Sequence, residues 1–430
     1  VWFVPILMAL GAVGRAYGTV AIEVPLTDWL NTALGWKFNG GAEGAAAVLG
    51  NIGGSMITIA GVVFSMTLVA LSLTVSNLGP RLLRNFMRDR STQVVLGTFV
   101  ATFLYCLLVL RTIRRQEEIL FIPHFAVSLG VLFAVLSVGV LIYFIHHVAR
   151  SIQANEIVAQ LTGELIERIG RLFPEPIGEG APQVLPENPD PLFLETFESQ
   201  SRPVGARDDG YLQFVDEDIL LSIAEERDLV LRLEHRTGQY VVFGQPIVRV
   251  WPGEKLDEGL ADRISFAFTL GIQRTPSHDL EFVVDQLVEI AVRALSPGVN
   301  DPFTAIVCVD RLGSALCRLA QRKRPSPYLH DEGYALRVIA PGITFNSFAD
   351  AAFNQIRQYG CSSAAVAIRL LETLAVTADF ASLSQDLETL QRHGDMVIRG
   401  AREELPEQED RQAAEERYEF LSSLIDGKSW

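Results

Sequence analysis

Between Ala45 and Pro80 the sequence has no charged residue at all. Gln93–Leu110 and Ile119–Ile145 are two more such gaps. A hydrocarbon core takes about 20 apolar residues of helix, so gaps of this length exclude a wholly water-soluble chain. A fourth apolar run, Val1–Ile22, is broken only by Arg15. It is too long for a secretory signal and has no small-residue cleavage site. Cysteine is scarce: Cys106, Cys308, Cys317 and Cys361, with no C-x-x-C pair. That excludes a disulfide framework and a zinc site of ordinary spacing. Also missing are G-x-S-x-G, H-E-x-x-H, a P-loop, and G-x-G-x-x-G between strand and helix. His278, His330 and His393 are scattered, and no nucleophile accompanies His278–Asp279. The expectation is a non-enzyme with no catalytic residue, no metal and no cofactor.

Charge is concentrated in the later part of the chain. Residues 1–150 carry a net +4 and residues 151–430 a net −19, for −15 overall. Such asymmetry separates two physically different regions. The acidic excess argues against nucleic acid as a partner, because that binding neutralises phosphates.

The expected fold is a mainly α membrane protein with four transmembrane helices, at roughly 2–22, 54–78, 92–111 and 119–146. They make a domain over 1–150. An amphipathic stalk, 151–172, continues the fourth helix, with Ile152, Ile157, Leu161, Leu165, Ile169 and Leu172 at helical spacing. Seven prolines mark 173–209 as a linker. A small β-rich unit follows at 210–260, then a helical cytoplasmic domain at 261–430. Within the β-rich unit, "TGQYVVFGQPIVRV" resembles half of a barrel-sandwich hybrid, the fold of biotinyl and lipoyl carriers. Those carriers need a lysine at a hairpin tip, and the nearby Lys255 lies outside the pattern. The expectation is a barrel-like unit without a covalent cofactor. Arg81, Arg84, Arg88 and Arg90 fill the loop between the second and third helices, whereas Lys37 is alone in the preceding one. The basic loop belongs on the cytoplasmic side, which puts both termini there. Arg111, Arg114 and Arg115 run against this, partly offset by Glu117 and Glu118.

Two groups of residues are candidates for function. In the second apolar run Thr58, Ser65 and Ser72 recur every seven residues, with Ser76 near the same line. Small hydroxyl residues allow close packing of membrane helices, and the same stripe could line a watery path in an oligomer. Thr67 and Thr74 on the opposite face weaken the stripe. His124 and the pair His146–His147 read as interfacial anchors, whereas Arg15 lies well inside its run and needs water, a partner or a snorkelling path. The second group surrounds "RALSPGVNDPFTA". Thr275 with Pro276 is expected to start a helix that Ser296-Pro297-Gly298 ends, and Asp301 with Pro302 to start the next. Arg274, Asp279, Arg293, Asn300, Asp301 and Thr304 then lie at the ends of these helices. They could cap a structural corner or hold an ion or polar metabolite.

The string from Arg274 to Ala305, "RTPSHDLEFVVDQLVEIAVRALSPGVNDPFTA", and the arginine-rich "RLLRNFMRDRSTQVVLGTFVATFLYCLLVLRT" upstream carry a resemblance that covers essentially the whole chain. The sequence is similar to the bacterial membrane-protein family catalogued as domain of unknown function 2254. The resemblance implies a multi-pass protein of the bacterial inner membrane and lends no activity. Two readings stay open. One is a homo-oligomeric channel for an ion or small solute, with the acidic region regulating it. The other is a membrane-anchored ligand sensor or protein scaffold without transport.

Overall fold

The computed structural model describes residues 3–34, 41–79, 90–116, 119–151, 153–173, 189–275 and 279–428. Among the described residues the chain is mainly helical, and it divides into two compact units, Val1–Ile157 and Val158–Trp430.

The first unit contains α1 (Phe3–Leu34), α2 (Ala42–Leu78), α3 (Arg90–Thr112) and α4 (His124–Ser151). Each is long and apolar enough to cross a bilayer. A short antiparallel pair, β1 (Arg114–Gln116) with β2 (Ile119–Phe121), joins α3 to α4. The sequence reading put this segment at the start of the fourth helix. Pro123 explains the difference, because a helix usually begins at or after a proline that has no N–H to donate.

Helix α3 packs on the other three and forms the middle of the bundle. Small residues let the backbones approach. At Gly97 a Cβ would stand 2.7 Å from the Met8 sulfur and 3.2 Å from Pro5 Cα. The core has one layer around Ala12, Ala16, Leu49, Tyr105 and Val127, and a second around Met56, Val63, Phe99 and Phe144. Several polar groups inside are paired, as hydrocarbon favours. Tyr105, fully buried, donates to the Ala126 carbonyl at 3.0 Å and meets Thr19 Oγ1 at 3.2 Å. Thr102 and Ser137 share a hydrogen bond of 3.3 Å.

The boundary between the units falls within α5 (Ala154–Leu172), most of which belongs to the second. The stalk was expected to run on from the fourth helix, but α4 ends at Ser151 and a new helix starts at Ala154. Val158, Leu161, Leu165 and Ile169 are buried, so its apolar stripe is covered. Of the expected linker, 174–188 lies outside the described residues. The remainder is ordered: α6 (Pro191–Gln200) starts at a proline capped by Asp190, whose side chain accepts from Leu192 N–H at 3.0 Å. Proline at a first helical position favours a helix, so counting prolines misread this stretch.

The β-rich part is two open sheets with helices, and no barrel closes. In chain order it contains β3 (Arg202–Gly205), β4 (Gly210–Val215), α7 (Glu217–Arg227), β5 (Val230–Leu233), β6 (Tyr240–Val241), β7 (Pro246–Trp251), α8 (Glu258–Phe266) and β8 (Phe268–Gly271). Two later strands, β9 (Tyr328–His330) and β10 (Leu336–Ile339), join them. The larger sheet runs β3-β7-β5-β10-β9 and the smaller β6-β4-β8. Strand β10 lies parallel to β5, with Val338 opposite Leu231. The expected boundary at 260 is therefore crossed by β8 and β10. The Gly-bracketed hairpin pattern is generic to short strands and did not reveal these distant partners. Leu212, Leu220, Ile223, Leu231, Val248, Ile264 and Val338 bury a common core between the sheets, α7 and α8.

The rest is a helical array: α9 (Leu280–Ala294), α10 (Pro302–Ala320), α11 (Phe345–Gly360), α12 (Ala364–Phe380), α13 (Ser384–Glu404) and α14 (Gln408–Asp426). Their apolar residues recur at three and four, as in α9 with Val283, Leu287, Ile290 and Ala294 buried.

Candidate functional site

Helix α2 carries two seams, each with the alternating three- and four-residue spacing of a packing helix. Ala46, Leu49, Gly53, Met56, Ala60, Val63, Ala70 and Thr74 are buried in the bundle. The second seam sits two residues further on, about 200° around the helix at 100° per residue. It contains Asn51, Gly54, Thr58, Gly61, Ser65, Leu68 and Ser72, and every one of these is exposed. Three of the four candidate residues lie on it, and Ser76, also exposed, continues it one turn later.

Chemistry separates the two seams further. Thr67 and Thr74 face the bundle side and return their hydroxyls to the carbonyls of Val63 and Ala70 at 2.8 and 2.9 Å. They belong to internal packing and do not compete with the outer stripe. On the outer seam Thr58 bonds the Gly54 carbonyl at 2.9 Å. Asn51, Ser65 and Ser72 have no hydrogen-bond partner among the described residues. No atom comes within 4 Å of a Cβ built on Gly54 or Gly61, so the backbone is open at both positions of the stripe. Arg15 is likewise exposed on α1 with no side-chain partner among the described residues. Polar groups that meet only hydrocarbon are costly, about 1–3 kcal/mol for a hydroxyl by protein mutation.

The residues of the second candidate group fall in two places. Arg274 and Asp279 meet at the start of α9, whereas Arg293 sits in its last turn and Asn300, Asp301 and Thr304 lie past its other end. The helix of 15 residues between them spans about 22 Å. Asp279 caps α9 by accepting from Phe282 N–H at 3.0 Å. This corrects the expected Thr275 cap. A carboxylate preceding the apolar run supplies the acceptor, and 276–278 lie outside the described residues. Arg274 grips both Asp279 oxygens, at 2.6 and 3.0 Å, also reaches Asp285, and lies over the Phe282 ring. Burial alone would push the Arg274 guanidinium down, and the two carboxylates more than offset that. Arg236 adds an ion pair of 2.8 Å to Glu281, whose carboxyl is raised chiefly by burial.

At the far end the corner satisfies itself. Ser296 Oγ donates to the Arg293 carbonyl at 2.6 Å, and Asp301 N–H to the Ala294 carbonyl at 2.7 Å. Asp301 caps α10, taking Thr304 N–H on one oxygen at 3.2 Å and the Thr304 hydroxyl on the other at 2.5 Å. Asn300 turns the chain at φ +50°, in the left-handed region that Asn tolerates. Asp301 and Thr304 thus use their polar atoms on each other and on the backbone, and no open ligand cradle is left between them.

A third place was not anticipated. Asp310, Ser314 and Cys317 on α10 face Arg369, Val376 and Phe380 on α12 across a groove of about 310 Å³. Its floor is the close approach of Gly313, where a Cβ would stand 2.1 Å from Thr373 Cγ2. The sequence holds a signal for it: a glycine inside a helix, with polar or small residues before and after it on the same face.

The model of the family described as "Predicted membrane protein (DUF2254)" matches residues 1–376. An uncharacterised protein of Mycobacterium bovis and one of Mycobacterium tuberculosis are each 31% identical to this chain over 421 residues. Each alignment covers 96% of this chain and 78% of the relative. No solved structure matches. With most of its length inside that family model and nearly all of it aligned to those relatives, the chain belongs to the DUF2254 family of membrane proteins.

Proposed function

We propose that this protein is a homo-oligomeric, channel-like protein of the bacterial inner membrane, with both termini cytoplasmic. The outer seams of α2 from several copies would enclose a polar path for an ion or small solute. The observation that carries this reading is the exposure of Asn51, Thr58, Ser65 and Ser72 on one membrane helix whose opposite seam is fully engaged. Packing within one copy leaves these groups uncovered, while a ring of copies gives them water and each other. The net charge of −19 over 151–430 favours cations near the mouth. The missing catalytic signatures fit a protein that moves or senses rather than converts.

Flux through liposomes containing the purified protein is the direct test. Cation-selective flux that Ser65→Leu and Ser72→Leu abolish is the expected result. Disulfide cross-links between copies of Ser65→Cys should accompany it. Empty-liposome flux across voltage, pH and tension, with no cross-link, would overturn the reading. It would leave the four helices as an anchor for a ligand sensor or scaffold.

A further inference from the structure

We propose that the groove between α10 and α12 binds a small amphipathic cation, its ammonium head at Asp310 and its short apolar chain along Val376 and Phe380. The groove is graded in polarity. Val376 and Phe380 are 56% and 45% exposed at one end. At the other end Asp310 receives Arg369 at 3.0 Å, and Arg369 also pairs with Glu372 at 3.1 Å. Glu372 is further engaged by Arg417 at 3.1 Å. Glu372 therefore has a partner on each oxygen, while Asp310 Oδ2 has none among the described residues. The Ser314 hydroxyl, one turn along the same face, has none either.

The free groups at the polar end are thus an anionic oxygen and a hydroxyl, which suit an N–H donor better than an anion. The volume, about 310 Å³, matches the lower range for small-ligand sites. Burial, assisted by Glu372, holds the Asp310 carboxyl above its usual range despite Arg369 and Arg311, so a bound cation at its open oxygen would favour its charged form. The acidic balance of residues 151–430 draws cations to this surface. The proposal is independent of whether α2 lines a pore.

Cys317 lies in the groove and supplies the readout. It is half-buried, whereas Cys106, Cys308 and Cys361 are buried. In the full chain in detergent, the rate of Cys317 modification by methyl methanethiosulfonate would be followed by mass spectrometry. Hexylamine is the probe, with hexanol and hexanoate at the same pH as comparisons. The expected result is saturable protection by hexylamine, at least tenfold more potent than by hexanol and absent with hexanoate. Asp310→Asn should erase the advantage of the amine over the alcohol, each measured against that variant's own ligand-free labelling rate. Phe380→Ala should weaken amine and alcohol together. Equal potency of amine and alcohol, protection by hexanoate, no saturable protection, or an unchanged advantage in Asp310→Asn would each overturn the proposal.

Discussion

The guanidinium of Arg274 closes on both oxygens of Asp279, and the same carboxylate caps α9 through Phe282 N–H. Asp279 is 3% exposed, so this is a charge held almost out of water. Removing one partner of such a pair costs about 3–5 kcal/mol, because the other is left buried and alone. Arg274→Met is therefore expected to lower the unfolding free energy of the second unit by about 3 kcal/mol in urea titrations. A change below about 1 kcal/mol would mean water already reaches the pair.

Gly238 touches the same carboxylate from the β5–β6 loop. Its φ is +92°, and a Cβ there would stand 2.2 Å from Asp279 Oδ2. Gly238→Ala should destabilise by about 1–3 kcal/mol through backbone strain and displacement of the pair. Combined with Arg274→Met it should give less than the sum, since both changes disturb one contact. A double-mutant cycle in urea measures this.

His393 on α13 is fully buried, and its Nε2 lies 3.2 Å from Asp350 Oδ1 on α11. Burial, assisted by Arg392 and Arg357 against the opposing pull of Asp350, brings it from 6.5 down to about 4. The unfolded chain then takes up the proton first as pH falls. Stability is full above pH about 6.5 and declines as pH drops towards 4, by at most about 3 kcal/mol from this group. In His393→Gln that part of the pH dependence should vanish. An unchanged slope between pH 6.5 and 4 would assign the acid sensitivity to other groups.

In the membrane unit, Tyr105→Phe removes the hydroxyl that joins α3 to the Ala126 carbonyl on α4 and to Thr19 on α1. Hydrogen bonds between membrane helices average about 0.6 kcal/mol and reach about 1.7. A loss of about 1 kcal/mol is expected in detergent unfolding, with the shape of the ring retained. Tyr105→Leu should cost more, because Phe133 stacks edge-on against the ring at 5.1 Å.

The membrane helices and the later helices were legible because their signals are local. Charge-free runs announce α2 to α4, a run broken by Arg15 announces α1, and Asp216 and Asp301 stand where caps must stand. The pairing of strands into sheets was not legible. Strand β10 is four residues long and pairs with β5 from beyond three intervening α-helices, which no local period encodes. The hydroxyl stripe of α2 was visible as a seven-residue repeat, but its exposure was not. Only the bundle shows that Thr74 turns inward while Ser72 is left outside. The groove at Gly313 depends on α12 arriving opposite, so its residues looked like ordinary helix surface.

The parallel pairing of Val338 with Leu231 also sets an order of events during synthesis. The two partners are separated by about a hundred residues, and long-range pairing of this kind is slow because the loop must close first. While the ribosome makes α9 and α10, the β5 edge has nothing beside it, a row of open N–H and C=O groups of the kind that recruits other chains. A chain truncated before Leu336 would stay permanently in that exposed state. It should be recovered as aggregate, whereas extension through Ile339 completes the sheet and returns soluble material.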